Sequence, residues 1–217
     1  MMTDIHSHDP HEIPGQNKVL SLQLHPDMDY KAVLNALPAN ILVSAGIHPW
    51  HASEWHSTNI LMLENLLLYS RIIFIGEIGL DNSSDVTYED QLFVLESQLK
   101  LAERTGKVVL IHNVGHQSEL LALKKKYKNI PAWILHGFRG KAQMAEQYIK
   151  NGFYLSFGFK YQVEALRVCP IDRLFIETDD SDADLKILYQ KVADDLGITL
   201  DVLELSICKN AESLGIK

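Results

Sequence analysis

Ile72-Ile73-Phe74-Ile75-Gly76-Glu77 opens with four apolar residues in a row and shows no alternation of polar and apolar positions. A strand of this kind has both faces buried, as in parallel sheets covered by helices on each side. Similar short runs lie N-terminal to it at residues 41–47, 18–24 and 1–5. Others follow at 108–111, 132–135, 153–157 and 173–177. Between them lie helical patterns: 29–37, ended by Pro38, and one beginning at Ser53 or Ser57 and carrying Ile60, Leu63, Leu66 and Leu67 at helical spacing. Further helices are predicted over 88–104, 118–127, 141–150, 162–168, 184–196 and 200–214. Thr87 with Asp90 resembles a capping box at the start of the 88–104 helix, and Gly106 stops it. One connection differs. Asp9-Pro10-His11-Glu12-Ile13-Pro14-Gly15-Gln16 holds two prolines and a glycine, which makes it a loop.

Eight strands alternating with mostly helical connections predict an α/β fold, a compact (β/α)8 TIM barrel with a shortened first βα connection. An open doubly wound sheet would need a glycine-rich phosphate loop after an early strand, and none is present. The 217 residues, 47% hydrophobic, suit a single domain over 1–217. No apolar run reaches membrane-span length, and the N-terminus lacks a basic-then-apolar leader, so a cytoplasmic location is expected. Cys169 and Cys208 are expected to be reduced core residues. A net charge of -8 argues against a protein that coats DNA without regard to sequence. It leaves room for an enzyme that grips a few phosphates through metal ions.

The strands end on a consistent set of residues. His6 and His8 close the first, two apart and so on one face of it. Glu77 follows the fourth, His112 the fifth, His136 the sixth and Asp179 the eighth. Barrel enzymes place their chemistry at these C-terminal strand ends. Each residue alone has an ordinary structural reading: a buried imidazole can donate to a carbonyl, and an Asp can cap a helix. Six together are hard to obtain by accident. Neutral imidazoles and carboxylates suit Zn²⁺ and related divalent ions. Six ligands suffice for two ions with Glu77 shared, an arrangement fit for hydrolysis. His48 and His51 flank Trp50. His48 either binds substrate or fixes its loop, while His51 and Trp50 read as substrate-side or surface groups. Arg139 is either a phosphate clamp or half of a surface ion pair. His11, His25, His56 and His116 have no comparable placement, and His25 reads as a loop residue. The run Lys124-Lys125-Lys126-Tyr127-Lys128 fits a helix C-terminus.

With these residues in view, the chain resembles the TatD family of metal-dependent deoxyribonucleases. The matching segments are Asp4-Ile5-His6-Ser7-His8, Ala45-Gly46-Ile47-His48-Pro49, Ile75-Gly76-Glu77-Ile78-Gly79-Leu80-Asp81, Val109-Leu110-Ile111-His112, Leu135-His136-Gly137-Phe138-Arg139-Gly140, Gly152-Phe153-Tyr154-Leu155-Ser156-Phe157 and Ile176-Glu177-Thr178-Asp179. Asn210 matches the family's C-terminal helix. The resemblance implies a TIM barrel and two divalent metal ions, Mg²⁺, Zn²⁺ or Mn²⁺. His6, His8 and Asp179 would hold one ion, His112 and His136 the other, with Glu77 bridging. Glu77 and Asp179 would be the catalytic pair, Asp179 accepting a proton from the attacking water. The implied activity is 3′-to-5′ exonuclease action on single-stranded DNA or a 3′ end, with no membrane and no obligate protein partner. A small phosphoester, ester or amide is the alternative substrate. This chain departs from the family in reading Asn113-Val114 after His112, where Ser or Cys and then Arg are common. Asn82-Ser83-Ser84 stand where two aromatics are frequent, and Asp180-Ser181-Asp182-Ala183-Asp184 replace a proline-containing loop.

Overall fold

The computed structural model describes residues 1–25, 28–55 and 60–216. The strands are β1 (Met2–Ser7), β2 (Gln16–Gln23), β3 (Leu42–Gly46), β4 (Ile72–Asp81), β5 (Val108–Val114), β6 (Trp133–Leu135), β7 (Phe153–Phe157) and β8 (Leu174–Ile176). The helices are α1 (Tyr30–Ala36), α2 (Ile60–Leu66), α3 (Tyr88–Thr105), α4 (Gln117–Lys126), α5 (Ala142–Lys150), α6 (Val163–Val168), α7 (Leu185–Leu196) and α8 (Leu200–Ser213). The strands follow one another through a single sheet in chain order, β1 to β8. This is the βα order of the (β/α)8 TIM barrel, the fold class expected from the sequence. The first connection has no helix, as its prolines require. Of the two helix starts expected ahead of Ile60, Ser53 lies in a 3-10 helix, Pro49–Glu54, and Ser57 lies outside the described residues.

Two strands are longer than their apolar runs. β4 continues through Gly76 and Glu77 to Asp81, and β5 through His112 to Val114. The glycines explain the extension. A Cβ on Gly76 would lie 2.5 Å from Leu110 Cβ, and one on Gly79 would lie 1.8 Å from the His112 carbonyl oxygen. They are places of close backbone approach within a strand pair, not turns.

The chain forms two compact units, Met1–Leu20 with Ile134–Lys217, and Ser21–Trp133. In the first, Ile5, Phe153, Phe157, Phe175 and Leu203 are fully buried. The buried Tyr189 hydroxyl of α7 accepts the Thr3 N–H at 2.9 Å and donates to the Thr3 carbonyl at 2.8 Å, anchoring β1. Asn210 of α8 donates to the carbonyls of Ile171 and Leu174 at 2.8 and 2.9 Å, holding the entry to β8. Cys169 is buried, which pushes its thiol up to about 12. Cys208 is only half-buried, because α8 turns that position toward solvent; it is not a core residue, and both thiols are free.

In the second unit Val43, Phe74, Leu99, Val109 and Leu110 form the core. α3 is held at both ends: Thr87 accepts the Asp90 N–H at 3.2 Å, and Gly106 turns left-handed at φ 66°. Such a cap is worth about 1 kcal/mol. The buried Gln98 side chain of α3 bonds both the N–H and the carbonyl of Ile47. It thereby fixes the residue before His48.

Replacing Asn210 by Ala strips a buried carbonyl, that of Leu174, and a part-buried one, that of Ile171, of their donor. Asn210→Ala should lower stability by about 1–3 kcal/mol, read as a shifted denaturation midpoint at constant slope. An unchanged midpoint would remove the bonds from any structural role.

Candidate metal centres

In the first unit β1 delivers His6, fully buried, and His8, whose ring is partly open to solvent. Their ring centroids are 4.9 Å apart. β1 carries an extra residue here. Asp4 pairs with Lys18, but the next pairing is Ser7 with Leu20, so three steps on β1 oppose two on β2. A bulge of this kind re-aims side chains, and His6 sits inside it. The end of β8 is sewn to β1: the Asp179 N–H donates to the His6 carbonyl at 3.0 Å, and the Asp179 carbonyl accepts from the His8 N–H at 3.1 Å. Asp179 adopts φ 57°, a left-handed conformation that Asp tolerates better than most residues. Its carboxylate lies 3.5 Å from His6 Nε2 and 3.7 Å from His8 Nε2. The His136 ring lies with its centroid 4.4 Å from that of His6, tilted by 51°. One donor atom from each of His6, His136 and Asp179 falls within 4.8 Å of the others.

Two buried carboxylates support this group. Glu177 faces His136 Nδ1 at 3.3 Å and accepts the Gly137 N–H with the same oxygen. Asp4 accepts the Thr178 N–H at 3.0 Å and the Thr178 hydroxyl at 2.7 Å, steadying the residue before Asp179. Burial pushes the Asp4 carboxyl up to about 6 despite those bonds. Neither was assigned a role from sequence. The available signal was spacing, since Asp4 is two residues from His6, and Glu177 two from Asp179.

In the second unit the same device recurs. On β4, Ile75 pairs with Val109 and Ile78 with Ile111, so an extra residue sits at Gly76-Glu77. Glu77 is buried, and its Oε1 meets His112 Nδ1 at 2.8 Å and His48 Nε2 at 3.4 Å. Glu77, His48 and His112 form a second group with donor atoms within 4.8 Å of one another. His112 is held from its other side by Asp81, 2.9 Å from Nε2. Asp81 also accepts from the Trp50 indole at 2.8 Å and from the backbone and hydroxyl of Ser83. Burial pushes the Asp81 carboxyl up, but the bonds from Ser83, His112 and Trp50 outweigh it and hold it at about 2. His48 takes the Trp50 N–H on Nδ1 at 3.2 Å, starting the 3-10 helix. The histidine read from sequence as a substrate contact or loop fixer is therefore among the donors.

Arg139 sits after β6 with its guanidinium 3.8 Å from Asp179 Oδ2 and well exposed. An exposed pair at that distance is worth only about 0–1 kcal/mol. The guanidinium can turn to another anion at little cost. It lines a cavity of about 220 Å³ with Gly158, Lys160, Thr178 and Asp179. A larger cavity of about 650 Å³ in the same unit passes Gln16, Lys18 and Leu185. No histidine donor lines it, so it is not the cleft of the metal group. Asp180, Asp182 and Asp184 are exposed, and Asp184 caps α7 by accepting the Lys186 N–H at 2.9 Å.

Both groups fit divalent ions by their donors. Each offers two imidazoles and one carboxylate, and each has a buried carboxylate behind one imidazole. That second layer is the usual way a ligating histidine is oriented.

A model of the family described as TatD related DNase matches residues 14–214. The metal-dependent hydrolase YabD of Bacillus subtilis is 32% identical over 148 residues, covering 64% of this chain and 58% of that protein. The 3′-5′ ssDNA/RNA exonuclease TatD of Erwinia billingiae is 31% identical over 148 residues, covering 63% and 56%. The alignments thus span less than two thirds of these relatives. In structure, the chain is similar to YjjV, a TatD homolog from Escherichia coli, with a TM-score of 0.85, 18% identity and coverage of 98% and 97%. A TatD family hydrolase from Entamoeba histolytica gives 0.81 at 14% identity, covering 100% and 98%.

Glu177→Gln and Asp81→Asn should leave the fold intact. Each should weaken Mn²⁺ binding about 10–100-fold in calorimetric titration. Unaltered affinity in either variant would show that its carboxylate does not steer the neighbouring imidazole.

Proposed function

Because the chain belongs to the TatD-related DNase family, we propose that it is a divalent-metal-dependent hydrolase that cleaves phosphodiester bonds in single-stranded nucleic acid, from a 3′ end. The observation that carries this reading is the pair of histidine–carboxylate groups, one around Asp179 and one around Glu77. His6, His8, His136 and Asp179 would hold one ion; Glu77, His112 and His48 would hold another. Bound there, such ions lower the pKa of a water and neutralise charge on the phosphate.

The chain's own residues supply the rest. Asp179 stands ready to accept the proton of the attacking water through a carboxylate oxygen turned toward His6 and His8. Glu77 keeps His112 and His48 in register. Arg139 can leave Asp179 for a substrate phosphate, and its planar donors match phosphate oxygens. The exposed Trp50 ring offers a face for an unstacked base. The relative named as an ssDNA/RNA exonuclease supports this substrate class.

A second reading has its own support. The cavity beside Arg139 is small, and Asp180, which lines it, is an exposed acid. These features favour a small phosphoester over a long polyanion.

Purified protein with Mg²⁺ or Mn²⁺ should shorten 5′-labelled single-stranded DNA from its 3′ end. Glu77→Ala and Asp179→Asn should each lower the rate at least about 100-fold without loss of folded structure. Equal cleavage by wild type and Glu77→Ala would sink the reading. Turnover of small phosphoesters with none of DNA would select the second.

A further inference from the structure

His25, His51 and Glu54 come together in the second unit, and none of them belongs to the groups around Glu77 and Asp179. His25 follows β2; His51 and Glu54 share the 3-10 helix, one turn apart. The imidazole rings of His25 and His51 meet edge to face with centroids 4.9 Å apart. Glu54 reaches both: Oε1 is 3.3 Å from His51 Nδ1, and Oε2 is 4.0 Å from His25 Nδ1. One donor atom from each of the three falls within 4.8 Å of the others.

We propose that these three residues form a further divalent-metal site, of the Zn²⁺ class, that fastens the segment after β2 to the 3-10 helix. The spacing is right. An ion bound at about 2.0–2.2 Å in tetrahedral geometry separates its ligands by roughly 3.4 Å; one Glu54 oxygen lies 3.3 Å from His51, the other 4.0 Å from His25, and a single donor atom from each residue falls within 4.8 Å of the others. The donor set is right as well. Two imidazoles and one carboxylate with a fourth position open to water is a recurrent zinc arrangement. All three side chains are partly exposed, so an ion can enter from solvent.

The backbone is prepared for it. The Tyr30 hydroxyl accepts the His25 N–H and donates to the His25 carbonyl, which pins that residue between β2 and α1. Ala52 and Trp55 are buried and seat the 3-10 helix against the unit. The His51 N–H donates to the His48 carbonyl at 3.0 Å. A surface ion pair between His51 and Glu54 alone would need neither His25 nor the pinned backbone. The same 3-10 helix begins with His48 and Trp50, which touch Glu77 and Asp81. An ion at the new site therefore braces the rim of the Glu77 group while sharing no ligand with it.

The test counts ions. Chelator-stripped full-length protein is loaded with Zn²⁺, desalted and analysed for bound metal, alongside His25→Ala and Glu54→Gln. Each variant should hold one equivalent fewer than wild type, and the same loss should appear when the changes are made in the Glu77→Ala protein. The last comparison separates this site from the proposed hydrolytic one. Equal stoichiometry in wild type and variants would overturn the proposal. A Zn²⁺-soaked crystal of the wild type gives a readout that needs no variant: an anomalous peak between the three side chains supports the site, and its absence from that position refutes it.

Discussion

The backbone of Asp179 is the constraint on which the first candidate metal group depends. Its N–H reaches the carbonyl of His6 and its carbonyl takes the N–H of His8, so the histidine within β1 and the one just after it are registered against one residue. This is the pairing of a parallel bridge, Ser7 against Asp179, made here by a residue at a left-handed φ of 57°. Asp4 and Thr178 reinforce the arrangement from the strand side, and Tyr189 fixes β1 at Thr3. The histidine pair, the carboxylate and their supports therefore stand or fall with one turn of chain.

The second group solves the same problem by different means. Glu77 and His112 stand on neighbouring strands, and the two backbones approach so closely that no side chain fits at Gly76 or Gly79. Asp81 then takes the far nitrogen of His112 while Gln91 bonds both the N–H and the carbonyl of Asp81. In both groups an extra residue in the ligand-bearing strand breaks the ladder where the ligand is needed. The cost of a broken ladder is accepted at the point where side-chain aim matters most.

Much of this was legible in the sequence. Largely apolar runs marked the strands, and residues closing several of them stand in the histidine–carboxylate groups. The boundaries at β4 and β5 were not legible, because glycine signals a turn and a close approach with the same letter. The membership of the groups was only partly legible. Spacing predicts which residues stand at strand ends, not which rings meet: His48 stands with Glu77 and His112, and His136 with His6 and Asp179. The supporting acids Asp4, Asp81 and Glu177 were present in recognisable segments, but their roles depend on burial and on single hydrogen bonds that a linear pattern does not encode. His25 read only as a loop residue and His51 as a substrate-side or surface group; nothing in the sequence paired them, since their meeting depends on how the chain after β2 is pinned by Tyr30.

The two imidazoles of β1 differ in one further respect. His6 is sealed from solvent, whereas nearly half of the His8 side chain is open to it, because the short loop after β1 lays no helix over that end. For an ion seated between them, this is an asymmetry of exchange rather than of affinity. Water can compete for the coordination place of His8 and not for that of His6. Arrival and departure would then follow one order, His8 last to close and first to open, and the length of the first loop would bear on how quickly such an ion exchanges.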